Sequence, residues 1–238
     1  MSRARPIRCD GGAKIAPVSG APFFASLLVL ALGPASATRE RSAAEVARAL
    51  EARYARVRDF TASFVQTYEG GVLRRRVVER GTVRVKRPGR MRWEYREPEQ
   101  KLFVADGRRL YAYIPADRQV IVTDLPEGDE ATTAALFLAG RGDLTRDFEA
   151  SFGELAGAPP GSIVLRLTPR RPERDYDWLL LALDASTLQI RMLVAGGRQG
   201  GRSTFTFSDV RENVGLSDKT FEFSIPRGVD VVRGGPPA

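Results

Sequence analysis

Histidine is absent from all 238 residues, and the only cysteine, Cys9, lies near the N-terminus. The commonest general base is therefore missing, and so are the usual ligands of zinc, copper and iron. Neither a Gly-x-Ser-x-Gly elbow nor a Gly-Lys-Ser/Thr phosphate loop occurs. The glycine-rich run Gly196-Gly197-Arg198-Gln199-Gly200-Gly201 joins two strand-like segments rather than opening a helix, so it reads as a hairpin. Two carboxylate pairs, Asp175 with Asp177 and Asp124 with Asp129, invite comparison with glycoside hydrolases. Turn chemistry explains both. No catalytic residue, metal or cofactor is expected.

Hydrophobic runs are short. The longest N-terminal one, residues 23–32, is too short to span a bilayer and follows Arg3, Arg5, Arg8 and Lys14. Ala35-Ser36-Ala37 then offers small residues at a cleavage site. Residues 1–37 are expected to be a signal peptide cut after Ala37, leaving a single periplasmic domain, 38–238, without cysteine and with no disulfide to form. Removing four basic residues and Asp10 takes the formal net charge from +8 to +5. Lys and Arg mostly alternate along strands instead of gathering with aromatics on one element, which excludes nucleic acid as a partner. Arg74-Arg75-Arg76 departs from this and suits a charged strand edge.

What is present is a two-residue alternation. Val83, Val85, Met91, Trp93 and Tyr95 alternate with Arg84, Lys86, Arg92, Glu94 and Arg96 around a Lys86-Arg87-Pro88-Gly89-Arg90 turn, which predicts a β-hairpin with one apolar and one charged face. Strands at 101–105, 110–114 and 120–123 follow, with turns at Asp106-Gly107 and Pro115-Ala116-Asp117. Phe60, Ala62, Phe64, Gln66 and Tyr68 begin the sheet, and residues 72–86 return with a kink at Gly81. Further strands are expected at 163–168, 178–183, 190–194, 203–210 and 221–225, giving eleven. So wide an antiparallel sheet must curl or close.

Helices are few. Ser42 and Glu45 have capping-box spacing ahead of an amphipathic helix at 43–57. Asp129 can cap a short apolar helix with Leu136, Phe137 and Leu138, ended by Gly140, and a second short helix is expected at 144–152. The 136–138 helix is either core or a lid over an apolar pocket, and the Trp93 face is either solid or hollow. Periodicity does not separate these.

Val85-Lys86-Arg87-Pro88, Trp93, Asp106-Gly107 and Tyr113-Ile114-Pro115 stand in the order found in the LolA family of periplasmic lipoprotein carriers, which this sequence resembles from residue 83 to 125. Phe60-Thr61-Ala62-Ser63-Phe64-Val65-Gln66 is similar to the family's Phe-x-Ala-x-Phe-x-Gln strand, and Phe221-Glu222-Phe223 with Pro226-Arg227-Gly228-Val229 extends the likeness. The resemblance implies a mainly β fold with flanking helices: an unclosed barrel of about eleven antiparallel strands around an apolar cavity, with a short helical lid. It implies a monomeric carrier that takes lipoprotein acyl chains from an ATP-driven inner-membrane exporter complex to an outer-membrane acceptor. It places Arg87 as the latch of the lid, Phe64, Met91, Trp93 and Tyr95 in the cavity, and Leu136, Phe137 and Leu138 on the lid. The family's Pro-Phe-Met-Leu-Ile lid spelling is missing here, and residues 148–172 have no counterpart. Transfer or sensing of another lipid, such as a glycolipid, on the same scaffold is the alternative.

Overall fold

Ser42 starts the first helix, α1 (Ala43–Ala55), through the capping box that its spelling predicts: the Glu45 amide donates to Ser42 Oγ and the Ser42 amide donates to the Glu45 carboxylate at 2.7 Å. The computed structural model describes residues 41–70, 76–125, 143–173, 176–197 and 200–234, all within one compact unit, Glu40–Ala238. The expected signal segment and Leu136, Phe137 and Leu138 lie outside the described residues.

The strands are β1 (Asp59–Glu69), β2 (Arg76–Lys86), β3 (Arg90–Glu97), β4 (Lys101–Asp106), β5 (Arg109–Ile114) and β6 (Gln119–Asp124), then β7 (Phe148–Phe152), β8 (Ile163–Pro169), β9 (Trp178–Leu183), β10 (Ile190–Gly196), β11 (Arg202–Glu212) and β12 (Asp230–Arg233). They form a single twelve-stranded sheet in the order β12-β6-β5-β4-β3-β2-β1-β11-β10-β9-β8-β7. Two antiparallel meanders, β1–β6 and β7–β11, thus meet at β1 and β11, and β12 extends the first by pairing parallel to β6. The far strands, β12 and β7, are edges, so the barrel is unclosed.

Two expectations near the chain's turns are corrected. Residues 144–152 are not one helix: Asp143 caps a single turn, α2 (Leu144–Asp147), by accepting from the Arg146 amide at 2.7 Å, and β7 follows at once. Phe148 is buried and Glu149 exposed, the start of a period-two pattern that a helix cannot use. Residues 221–225 are not a strand either. Ser217 caps a 3-10 turn (Asp218–Phe221) that buries Phe221, and the last strand lies further on at β12, parallel to β6. The count is therefore twelve rather than eleven.

The kink at Gly81 is a bulge in the β2–β3 ladder, where the register shifts between Arg80 and Gly81. A Cβ there would lie 2.0 Å from the Glu94 carbonyl oxygen and 2.8 Å from the Phe64 ring, so only glycine fits.

The two faces of the sheet are used differently along its width. On the inner face, α1 lays Val46, Ala47 and Leu50 into a core with Phe64, Val83, Val85, Met91, Trp93, Leu165, Leu167, Leu181 and Leu193. On the outer face, β8–β10 carry a second apolar cluster, Leu180, Ala182, Met192 and Val194, covered by Leu155 and flanked by Trp178. The outer face of β2 and β3 is charged, as the alternation predicts: Arg84 and Arg92 pair with Glu94 at 3.2 and 2.6 Å. Over β4–β6 the outer face becomes apolar again, where Phe223 meets Tyr111 and Tyr113 with ring centroids 5.3 and 6.0 Å apart. Asp59 anchors this C-terminal passage by accepting from the amides of Val214, Gly215 and Leu216 at 2.7–3.3 Å.

Candidate functional site

The inner face at the middle of the sheet is aromatic. Register puts Val83 opposite Trp93 and Trp93 opposite Phe103, while Phe64 sits opposite both Gly81 and Phe207, so side chains from β1, β2, β3, β4 and β11 converge. Phe64 meets Trp93 and Tyr95 edge-on, at 5.0 and 4.9 Å between centroids, and Trp93 meets Phe205 at 5.4 Å. Gly81 makes room for the Phe64 ring. The structure therefore brings together four of the predicted cavity residues, Phe64, Met91, Trp93 and Tyr95, and adds Phe103, Phe205 and Phe207, which strand alternation alone does not join to them.

At the Met91 end of this face lies the C-terminus of α1. Arg53 pairs with Glu212 of β11 at 2.8 Å, and the Tyr54 hydroxyl accepts from the Ile190 amide at 3.1 Å. Between this turn and the sheet a pocket of about 10 Å³, room for one water, is lined by Tyr54, Phe60, Ala62, Ile190, Phe207, Val210 and Glu212.

Arg87 belongs to the same end. Its Nη1 donates to the Tyr54 carbonyl and its own amide donates to the Arg58 carbonyl at 2.9 Å. The free carbonyls of a helix C-terminus attract a guanidinium, and the β2–β3 turn presents one to α1. Half-burial lowers the Arg87 pKa from its ordinary value, with the negative charge of Glu51 acting the other way. Glu51 in turn is raised by burial and by neighbouring Asp143. Among the described residues, then, Arg87 ties the sheet rim to α1.

The opposite end of the aromatic row is polar. Tyr95 donates to Gln66 Oε1 at 2.6 Å, Gln66 Nε2 donates to Ser203 Oγ at 2.9 Å, and Lys101 pairs with Glu79 at 2.6 Å. Burial, followed by the charge of Glu79, raises the Tyr95 phenol far enough that it stays a neutral donor.

Of the carboxylates considered for catalysis, Asp124 and Asp177 are among the described residues. Asp124 pairs with Arg109 at 3.2 Å across the β5–β6 hairpin, and the Asp177 amide donates to the Gly196 carbonyl at 2.7 Å. Asp129 and Asp175 lie outside the described residues. The glycine-rich run closes the β10–β11 hairpin, with the Gly197 amide donating to Gly201 at 2.8 Å. No three metal-ligating side chains gather among the described residues.

The described residues thus form an unclosed β-sheet with an aromatic inner face and a helix across it. Residues 55–224 match the model of the outer membrane lipoprotein carrier protein LolA, more than half of the chain. The chain belongs to the LolA family. It is 29% identical over 214 residues to an outer-membrane lipoprotein carrier protein of Hahella chejuensis, covering 88% of this chain and 99% of that one. A carrier protein of the same description from Nitrosospira multiformis is 33% identical over 153 residues, 64% of this chain and 71% of that one. An uncharacterized conserved protein from Thermus thermophilus shares the fold at a TM-score of 0.50 and 12% identity, covering 80% of this chain and 98% of that one.

Proposed function

We propose that this protein is a periplasmic carrier that binds the acyl chains of lipoproteins against the aromatic inner face and shuttles them from an inner-membrane exporter to an outer-membrane acceptor. The observation that carries the reading is the convergence of Phe64, Met91, Trp93, Tyr95, Phe205 and Phe207 on one face of an unclosed sheet in a LolA-family chain. A sixteen-carbon chain exposed to water costs about 12 kcal/mol at ~0.8 kcal/mol per methylene, so a carrier must keep it dry in transit. Release then requires that part of this gain be offset, which a cover that packs on the empty face and is displaced by cargo achieves. Leu136, Phe137 and Leu138 are the proposed cover. Arg87 is the proposed latch of that cover; its described bond is to the Tyr54 carbonyl of α1.

Export fits this role. No helix among the described residues is long and apolar enough to cross a membrane, and the proposed mature chain, residues 38–238, begins at Thr38. Mass spectrometry of the protein isolated from the periplasmic fraction tests the whole reading. An N-terminus at Thr38 and co-purifying acylated lipoprotein are expected. A membrane-bound product that keeps residues 23–32 would overturn it, and a glycolipid as the dominant companion would replace the cargo.

A further inference from the structure

An apolar binding face has little use for an ion pair, yet Glu79 is 9% exposed and its carboxylate meets Lys101 Nζ at 2.6 Å on the inner side of the sheet. A pair in such a place adds little stability over apolar residues of the same volume. It is not isolated. Glu79 lies opposite Gln66 in the β1–β2 register, and Lys101 lies opposite Tyr95 in the β3–β4 register. The bonds Lys101–Glu79, Tyr95–Gln66 and Gln66–Ser203 therefore form a polar belt across β4, β3, β2, β1 and β11. The belt sits at the Tyr95 end of the aromatic row, about 13 Å along β3 from Met91 and the Arg87 end.

The belt has more donors than it uses. Among the described residues, one of three Lys101 N–H groups and one of two Gln66 N–H groups are engaged, and the Ser203 hydroxyl accepts without donating. Two residues along β3, the Trp93 indole N–H is buried with no partner among the described residues. Arg53 Nη1, Thr82 Oγ1 and Arg202 Nε share that state, but Trp93 is the one of the four on the aromatic row, where its N–H can take an acceptor that arrives with a ligand. Glu79 neutralises Lys101, so the site favours an uncharged acceptor over an anion.

We infer that the Gln66–Tyr95–Ser203 and Glu79–Lys101 belt, with the Trp93 N–H, seats the uncharged ester or amide linkage at the head of the acyl cargo, so that the chain lies with its methyl end toward Met91 and Arg87. This rests on the acyl-carrier reading above and adds a polarity to it. The ligand enters in one direction, its carbonyls on the belt and its tail along the aromatic row.

Two ligands that differ only in a carbonyl test this. Monopalmitoylglycerol carries an ester; 1-O-hexadecylglycerol has an ether in its place. The mature protein is expected to bind the ester about fivefold to tenfold more tightly, the worth of one or two neutral hydrogen bonds. Gln66→Met and Trp93→Phe, checked for folding by thermal melts, are expected to bring the ester-to-ether ratio close to one. Thr206→Val, on the opposite face of β11, is expected to leave it as in the wild type. A wild-type ratio of one overturns the inference without needing any variant, and leaves acyl binding itself standing. Free palmitate binding more tightly than the ester would make the belt an anion site and also overturn it. Binding of neither glycerol lipid overturns the carrier reading together with this one.

Discussion

The chain's two tryptophans mark two kinds of β-sheet. Trp178 lies on the outer face of β9, where a Cβ on Gly196 would come within 2.2 Å of its ring and Arg166 sits 5.1 Å above it. Around it β8, β9 and β10 are buried on both sides, with one leucine-rich cluster inside and another outside. Trp93, on β3, has neighbours of a different kind. Its strand is aromatic inside and ion-paired outside, it lies beside a polar belt, and its own N–H has no partner. Saturated apolar packing on both faces serves stability. Unspent hydrogen-bonding capacity among rings that pack edge-on is what the proposed ligand would use.

The largest expected effect separates the halves by stability. Leu180→Ala removes a side chain from the outer leucine cluster and should cost about 2–5 kcal/mol by denaturant unfolding. Acyl-ligand affinity per folded molecule should stay as in the wild type. Gly81→Ala should cost about 1–3 kcal/mol, because its methyl meets the backbone oxygen of Glu94 and the Phe64 ring. Unlike Leu180→Ala, it should also weaken ligand binding, since it displaces a ring of the aromatic face.

Arg87→Leu should act on the ligand more than on the fold. If Arg87 latches the cover in the empty state, loss of that charge-assisted bond, worth about 1.5–3 kcal/mol, should tighten acyl binding roughly tenfold or more and slow release. Arg90, in the same turn, pairs with exposed Asp218 at 3.8 Å, and Arg90→Leu should leave ligand off-rates unchanged. Equal off-rates for Arg87→Leu and wild type would make Arg87 a tie between sheet and α1 and nothing more.

The smallest effect concerns pH. With no histidine in the chain, unfolding free energy should be nearly flat between about pH 6 and 8. Burial pushes the Glu94 carboxyl up, but bonds and charge from Arg92 and Arg84 outweigh it and leave its pKa lowered. A depressed folded pKa stabilises above the unfolded value, near 4.3, and that contribution is lost as pH falls through the folded value. Acid titration of wild type against Glu94→Gln should therefore show a constant difference above about pH 4.3 that shrinks as pH falls below it.

Much of this contrast was legible in local sequence, and the misses have a common cause. The alternation from Phe60 to Thr123 identified β1–β6 and the aromatic face, because strand faces follow from spacing alone. Gly81 was legible as a break, and Ser42 with Glu45 as a helix start. β12 was missed because its pairing with β6 joins residues far apart in sequence, and Phe221 and Phe223 were read as a strand's alternation when they pack over other strands. The belt was out of reach for the same reason: Gln66 and Ser203 are 137 residues apart, and the Lys101–Glu79 bond passes over an intervening strand. The bond of Arg87 to the Tyr54 carbonyl of α1 was not legible either, since it joins the β2–β3 turn to a helix 33 residues away.

The two tryptophans also allow the most direct test of the account, that cargo lies on the Trp93 face. Trp178→Phe leaves Trp93 as the only indole and Trp93→Phe leaves Trp178. Titrated with a brominated acyl glycerol, Trp178→Phe should lose most of its emission in a saturable way while Trp93→Phe keeps its own. Quenching of Trp178 alone, or of both alike, would contradict the account.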